Sequence, residues 1–387
     1  MPVLNRIAGM AEEMQGWRRH LHMHPELSFD CHQTAAFVAE RLREFGVDEI
    51  HEGIAQTGIV AIINGQEPGR TIGLRSDMDA LPNMETSGVE HASTVPGKAH
   101  SCGHDGHMTM LLGAARYLAE TRRFAGRVAL IFQPAEEDGG GGEKMVQAGI
   151  MDRFDIAEVY GIHNAPNLEF GRFITTPGPI MAAVDTLRVT IKGRSGHGAL
   201  PHQTIDPVIA TVGMVGALQS IISRNVPALD NLVFSVTMLH AGSASNVIPD
   251  EAMFAATIRT FTPEVRDLVE KRTREIINGH AAAYGVEVDI NYDRGYPATV
   301  NTEAETTFAA GVAAEISGVD MVDANTPKQM IAEDFSYLLE ARPGCYLMLG
   351  TGPGYGLHHA SFDFNDEAAP IGASFFARLV EKALPLG

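Results

Sequence analysis

One short segment of the chain, SCGHDGHMTMLL at positions 101–112, concentrates side chains that bind divalent metal ions: Cys102, His104, Asp105 and His107. A thiolate, imidazoles and a carboxylate are donors for first-row divalent ions. Gly103 between them allows the backbone to bend so that Cys102 and His104 can point at one centre. The alternative is a turn before a helix, with hydrogen-bonded histidines and an inert thiol. Comparable donors directly after several other strand-like runs favour the metal site.

Two pairs of carboxylates follow predicted buried strands: Asp77 and Asp79 come after TIGLRS (71–76), and Glu136 and Glu137 come after RVALIFQ (127–133). In open α/β sheets, ligands bind beyond the carboxyl ends of the strands. Of two adjacent glutamates, one could bind a metal while the other takes a proton from the metal's water. Asp79 could hold a ligating histidine by a hydrogen bond. The alternatives are ordinary turn chemistry for the aspartates and a solvated acidic loop for the glutamates.

Four glycines follow Asp138, and they indicate close backbone approach or motion. They do not match a phosphate-binding loop, because no Lys-Ser or Lys-Thr follows at the required spacing.

Further histidines lie after other predicted strands. His163 follows EVYGI (158–162), and His358 with His359 follows CYLMLG (345–350). In contrast, the alternating histidines of HLHMHPE (20–26) would not face one another on a helix, so we interpret that stretch as structural.

Composition excludes some classes of partner. The 387 residues carry a formal net charge of −19, which argues against nucleic acid or an anionic membrane. Three widely spaced cysteines, the lack of a signal-like N-terminal segment and the lack of a long uncharged apolar run predict a cytoplasmic protein with free thiols.

The pattern of strands changes near Val184. Strands that alternate apolar and polar residues follow, in the order strand, helix, two strands, helix, strand, which is ferredoxin-like. We therefore predict an inserted domain at residues 184–294, whose open sheet edge could pair in a dimer. The flanking segments, 1–183 and 295–387, alternate helices and buried strands and are predicted to form one discontinuous α/β domain.

Eight motifs together resemble those of M20-type metallo-amidohydrolases, in the subgroup of hippurate hydrolases and auxin-amino-acid conjugate hydrolases. In chain order they are RRHLHMHPE, LRSDMDALP, SCGHDGHMTMLLGAA, FQPAEEDGGGG, GIHNAP, GRSGHGALPH, SNVIPD and LHHASF. The resemblance covers nearly the whole length. It implies a catalytic domain with a mixed, helix-flanked sheet like that of zinc peptidases, and an inserted ferredoxin-like domain that acts as a lid and in dimerisation.

The same resemblance implies two divalent ions (Zn, Mn, Ni or Co), with Cys102 bridging them as a thiolate. The implied ligands are Cys102, His104, Glu137, His163 and His358. Glu136 would be the general base, and His197 would reach a partner subunit's active site and stabilise the oxyanion. Asn246 and Arg259 would contact substrate, with the guanidinium of Arg259 suited to a carboxylate.

The chain departs from the family pattern at two places. Ala360 stands where the family usually has proline, and His359 beside His358 leaves open which of the two ligates. Ala165 stands where a large side chain is common, which would reshape the acyl pocket.

The function implied is hydrolysis of N-acyl amino acids, which are small-molecule substrates, by a homodimer or a tetramer of dimers. Three alternatives stay open: a peptidase of the same family, an amidase with Cys102 as nucleophile, and a non-enzymatic binding module.

Overall fold

A computed structural model describes residues 3–387, which form two compact units. The first unit runs up to Ile180 and also includes Thr299–Pro327 and Asp334–Gly387, and the second comprises Met181–Ala298 and Lys328–Glu333. The second unit is therefore longer at both ends than the predicted insertion, and it includes residues 328–333, which the sequence placed in the other domain. The backbone amide of Ala182 donates to the carbonyls of Gln329 (3.1 Å) and Ile331 (2.9 Å), which explains why this distant segment belongs there.

Strands are numbered in chain order. Within residues 3–387 they are β1 (Glu49–Ile54), β2 (Gly58–Asn64), β3 (Glu67–Asp77), β4 (Ala125–Gln133), β5 (Ile156–Pro166), β6 (Phe173–Ile174), β7 (Gly178–Met181), β8 (Ala183–Lys192), β9 (Gly196–His197), β10 (Leu232–Ala241), β11 (Val247–Ile248), β12 (Glu251–Thr260), β13 (Glu287–Arg294), β14 (Thr299–Asn301), β15 (Val322–Asp323) and β16 (Gly344–Gly352).

The α-helices of the same residues are α1 (Asn5–Ala8), α2 (Ala11–Met23), α3 (His32–Glu44), α4 (His104–Thr121), α5 (Gly141–Gln147), α6 (Ile150–Arg153), α7 (Pro207–Leu218), α8 (Pro263–Tyr284), α9 (Glu303–Ser317), α10 (Ser336–Ala341) and α11 (Ala369–Ala383).

A mixed sheet of eight strands forms the centre of the first unit, as predicted, in the order β1-β2-β4-β3-β5-β16-β6-β15. Strand β3 runs parallel to β4 and β5, and β16 runs parallel to β5. Because these four parallel strands end at the same edge of the sheet, the segments that follow them lie close together. That edge carries every predicted metal ligand of the unit.

Helices α2, α4 and α11 pack on one another, and α4 packs on the sheet. Helix α4 is buried along almost all of its length, including its polar first turn. The positions of His104 and His107 are therefore fixed by core packing.

The second unit is an antiparallel sheet in the order β10-β12-β8-β13, with α7 and α8 packed against it. This is the predicted ferredoxin-like order of strands and helices. Asp206 and Thr262 accept hydrogen bonds from the first turns of α7 and α8, and a proline follows each cap at the first helical position. The first helix of this unit is α-helical to Leu218, and a π-helix follows over Ile221–Asn225.

One helical segment among the described residues, Pro207–Asn225, is long and apolar enough by length and composition to be a membrane-span candidate. A third of it is buried inside the protein. Ile209 and Val212 of α7 are more than half exposed, so this helix carries apolar surface on its outer face.

Candidate metal centre

Five three-residue groups with metal-ligand chemistry occur among residues 3–387, and two of them consist only of predicted ligands. Ligand atoms of Cys102, His104 and His163 lie within 4.8 Å of one another, as do those of a second group, Cys102, Glu137 and His358. The structure thus brings together all five residues proposed as ligands from the sequence. Cys102 belongs to both groups.

Gly103 permits the backbone turn between the two donors at the start of α4. Its φ is +96°, and a Cβ at this position would lie 2.3 Å from Oδ1 of Asn164. That oxygen cannot readily move, because it lies 2.6 Å from Nε2 of His107. Only glycine fits both the conformation and the space.

The ring of His104 is oriented by a backbone carbonyl. Its Nδ1 lies 2.7 Å from the carbonyl oxygen of Asp79, so Nδ1 donates and Nε2 faces the cluster. Burial alone would lower the pKa of His104, but Asp77, Asp79 and Glu137 raise this pKa to about 10. The negative charge that raises this pKa would also favour a metal cation at Nε2.

Asp79 was predicted to hold a ligating histidine through its carboxylate, and the structure assigns that contact to the backbone carbonyl. The carboxylate of Asp79 instead accepts the backbone N–H groups of Glu136 (2.9 Å) and Glu137 (3.1 Å). Asp79 therefore fixes the loop that carries both glutamates. Ala135, just before them, has a φ of +55°, a strained conformation of the kind found at functional sites.

His163 presents its Nε2 to the same cluster. Its Nδ1 donates to the backbone carbonyl of Asn164 at 2.7 Å, and Nε2 lies 3.5 Å from Sγ of Cys102. Burial, together with the neighbouring His107, lowers the pKa of His163 well below its usual value. A neutral imidazole is the form that binds a metal.

The electrostatics of the thiol and the carboxylates favour a bound cation at this cluster. Burial and the charges of Glu137 and Glu136 raise the pKa of Cys102 well above its usual value, and burial also raises the pKa of Glu137. Moreover, Nε2 of His104 and Oε1 of Glu137 are buried with no hydrogen-bond partner among residues 3–387. Buried polar atoms normally have partners, so these orphaned donor atoms fit a bound divalent ion.

His358, rather than its neighbour His359, reaches the cluster. Its φ of +64° turns the side chain toward Glu137, and its backbone is held by Asn83 Nδ2, which donates to its carbonyl (3.0 Å), and by its own N–H, which donates to Ser101 (2.7 Å). His359 stacks on Tyr355 with ring centres 4.4 Å apart. The geometry therefore separates two histidines that the sequence did not distinguish.

His107 and Asp77 were candidate donors in the sequence, without a specific role. Nδ1 of His107 donates to Asp77 (2.7 Å), and its Nε2 lies 2.6 Å from Oδ1 of Asn164. Asp77 also accepts from Arg75 at 2.7 Å. Both ring nitrogens of His107 therefore have partners, so we interpret His107 as a residue that supports the structure of the site. The three-residue spacing from His104, which places both on one helix face, was the available signal.

The histidine-rich segment of α2 is structural in the main, as interpreted from the sequence. His22 is buried, and its Nδ1 donates to Asp105 at 2.7 Å. Burial alone would lower the pKa of His22, but Asp105 and Glu85 raise it to about 9.

The glycine run makes close backbone contacts. A Cβ on Gly141 would lie 1.6 Å from the carbonyl oxygen of Pro134, and one on Gly142 would lie 2.6 Å from that of Asp334. The backbone N–H of Gly142 also donates to the Asp334 carboxylate at 2.8 Å. The sequence indicated either close backbone approach or motion for this run, and the structure supports close approach.

The remaining predicted residues lie in the second unit. His197 on β9 pairs with Val247 on β11, and the carbonyl of Asn246 accepts the N–H of Gly198 at 2.8 Å, so His197 and Asn246 are neighbours. Arg259 lies on β12, half-buried, and donates to the hydroxyl of Thr257 and the carbonyl of Ile258.

Comparison with known proteins identifies relatives over the full length. The model of peptidase family M20/M25/M40 matches residues 73–382. The hippurate hydrolase of Campylobacter jejuni is 38% identical over 384 residues, covering 99% of this chain and 100% of the relative. Thermostable carboxypeptidase 2 of Saccharolobus solfataricus is 38% identical over 396 residues, covering 99% of each chain.

A solved structure shares the fold at significant identity. The Bacillus subtilis YXEP protein, a dinuclear metal binding peptidase from the M20 family, superimposes with a TM-score of 0.85 and 33% identity. The match covers 97% of this chain and 99% of that one.

Proposed function

Because the chain belongs to peptidase family M20/M25/M40 and is a hydrolase of amide bonds, we propose that it cleaves N-acyl amino acids to a carboxylic acid and a free amino acid. The observation that carries the proposal is the gathering of Cys102, His104, His163, Glu137 and His358 at one edge of the sheet. The relative named hippurate hydrolase, similar over its whole length, supports this substrate class.

The cofactor is a pair of divalent metal ions, whose identity is open between Zn, Mn, Ni and Co. We propose Cys102, His104, Glu137, His163 and His358 as the ligands. Cys102, which is shared by the two groups made up only of these residues, would be the ligand common to both ions, as the family resemblance implies. When bound, such ions lower the pKa of a water and polarise the substrate carbonyl.

Glu136 is the proposed general base. Its backbone is fixed by Asp79, and its Oε2 lies 3.9 Å from Nε2 of His104, at the side of the ligand cluster. From this position its carboxylate takes the proton of the attacking water and returns it to the departing amine nitrogen. A buried carboxylate held beside the reacting atoms suits both transfers.

Residues of the second unit are proposed to complete the reaction. Nδ1 of the exposed His197 accepts the N–H of Ala199 at 3.1 Å, so Nε2 carries the proton that could stabilise an oxyanion. We propose that His197 does so in the active site of a partner subunit. Asn246 and Arg259 are the proposed substrate contacts, with Arg259 taking the carboxylate.

A homodimer, or a tetramer of dimers, is the proposed assembly, with the second unit as lid and interface. In support, apolar side chains are exposed on α7 (Ile209 and Val212) and on the edge strand β10 (Met238 and Leu239), and an unpaired sheet edge is a ready site for pairing with another chain. Light scattering after size exclusion tests this, and a monomer at micromolar concentration would contradict it. The cytoplasmic location stays a prediction from sequence.

A peptidase is the second candidate, because the similar Saccharolobus solfataricus protein is named a carboxypeptidase. A Cys102 nucleophile is disfavoured, because the pKa of its thiol is raised while that of the adjacent His163 is lowered, so a thiolate–imidazolium pair is opposed.

The deciding experiment is a substrate screen. The enzyme is reconstituted with each of the four metals and assayed on N-benzoyl, N-acetyl and indoleacetyl amino acids beside unblocked dipeptides. Preference for blocked substrates supports the proposal, preference for dipeptides supports the peptidase, and no turnover with any metal would support a binding module.

A further inference from the structure

A single buried arginine at the back of the metal centre contacts three separate parts of the chain. Arg18 on α2 is 1% exposed. Its Nε donates to Asp366 at 2.6 Å, its Nη1 donates to Asp363 at 2.7 Å, and its Nη2 donates to Nε2 of His91 at 3.0 Å. The same Nη1 lies 3.5 Å from Oδ2 of Asp105.

These partners lie next to proposed metal ligands that come from opposite ends of the sequence. Asp105 is the neighbour of His104 in the first turn of α4, and it is fully buried. Asp363 and Asp366 belong to the segment that continues from His358 toward α11. Arg18 therefore joins the helix that carries one ligand to the segment that carries another.

The arrangement depends on the shape of the guanidinium group. A planar fork with fixed donor directions can hold several carboxylates at set separations, whereas a lysine ammonium is a single point charge. Burial also makes the contacts strong, since water does not compete for the donors. The neighbouring Arg19 differs: its side chain is 40% exposed and its Nε contacts Asp366 alone among these partners.

We propose that Arg18 is a positioning residue that fixes His358 relative to His104, and thereby sets the affinity for the ion that takes His358. The proposal rests on the two-metal centre proposed above. It assigns Arg18 no contact with substrate or metal. Its effect is transmitted through Asp105 on one side and through Asp363 and Asp366 on the other.

The test is metal titration of the metal-free protein by calorimetry, with Arg18→Lys compared with wild type. Residues that orient metal ligands typically alter metal affinity by about 10–100-fold when changed. We expect Arg18→Lys to weaken one of the two binding events by at least about tenfold and to leave the other within about twofold. Arg19→Lys, the matched control, should leave both unchanged.

A second variant keeps the proposal testable if Arg18→Lys fails to fold. Asp363 is 29% exposed, so Asp363→Asn removes the negative charge of one partner with little disturbance of the core. It should weaken the same binding event, by less. Absorption of the Co²⁺-loaded protein, which reports the ligand geometry, should change in both variants and stay unchanged in Arg19→Lys.

Three results would overturn the proposal: equal weakening of both events, unchanged affinities with only a lower melting temperature, or equal effects of Arg18→Lys and Arg19→Lys. A wild-type protein that binds fewer than two ions would instead count against the metal centre itself, so the two failures are distinguishable.

Discussion

Nε2 of His358 lies 3.5 Å from Oε1 of Glu137, although one residue follows β16 and the other follows β4. The approach depends on the parallel strands between them, which end at the same edge of the sheet. It also depends on a left-handed backbone at His358.

Replacement of His358 by alanine should remove one of the two ions, because His358 faces Glu137 and Cys102. His359→Ala should keep both ions, since its ring stacks on Tyr355 outside the cluster. Metal content by plasma mass spectrometry after dialysis checks this. Loss of metal in the second variant alone would reverse the assignment.

Variants of the two adjacent glutamates should separate the loss of catalysis from the loss of metal binding. Glu136→Gln should lower kcat by at least roughly 10²–10⁴-fold, the usual worth of a general base, with both ions retained. Glu137→Gln should lose metal together with activity. Metal analysis alongside steady-state kinetics distinguishes them, and metal loss from Glu136→Gln would mean that the two roles are exchanged.

Chelation should abolish activity, and added divalent metal should restore it. Alkylation of Cys102 should be faster in the metal-free protein than in the metal-loaded protein, because a metal-bound thiolate is protected, and peptide mass spectrometry can follow it. Activity that survives chelation but is lost on alkylation would instead indicate a cysteine nucleophile.

His22 should make the folded protein more stable at lower pH. The pKa of His22 is raised to about 9 in the folded state, from an ordinary value near 6.5. Its contribution is therefore fully present below about pH 6.5 and is lost as the pH rises through about 9. The shift corresponds to a contribution on the order of 3 kcal/mol.

Urea unfolding of the metal-free protein between pH 6 and 9 measures this contribution. His22→Gln should flatten the decline in unfolding free energy across that range. His32→Gln, an exposed histidine, serves as the control. An unchanged slope in His22→Gln would show that His22 does not titrate as inferred.

A methyl group on Gly103 should destabilise the protein and the site together. Gly103→Ala combines a φ of +96° with a 2.3 Å approach to Asn164, which predicts a loss of at least roughly 1–3 kcal/mol. Gly311→Ala, in the exposed face of α9 with open space around it, should gain about 0.5–1 kcal/mol. Unfolding free energies would check both signs.

Part of the ligand cluster was predictable because some donors directly follow a strand-like run, and parallel strands bring such ends together. His163 and Glu137 are of this kind. The ferredoxin-like order followed from hydrophobic patterning, whereas the mixed sheet was expected from the resemblance to M20-type enzymes.

Contacts between side chains remote in sequence were not predictable from one chain. The partners of Arg18 and the choice of His358 over His359 depend on tertiary packing and on one backbone dihedral angle. Residues 328–333 join the second unit through backbone hydrogen bonds from Ala182, which leave no residue-type signal.

The glycine run after β4 has a consequence for any attempt to change what this enzyme accepts. Gly141 and Gly142 each lie so near another backbone that even a methyl group has no room. Libraries that randomise this loop would consist mostly of misfolded proteins. Diversity is better introduced at Ala165, which the family resemblance places at the acyl pocket.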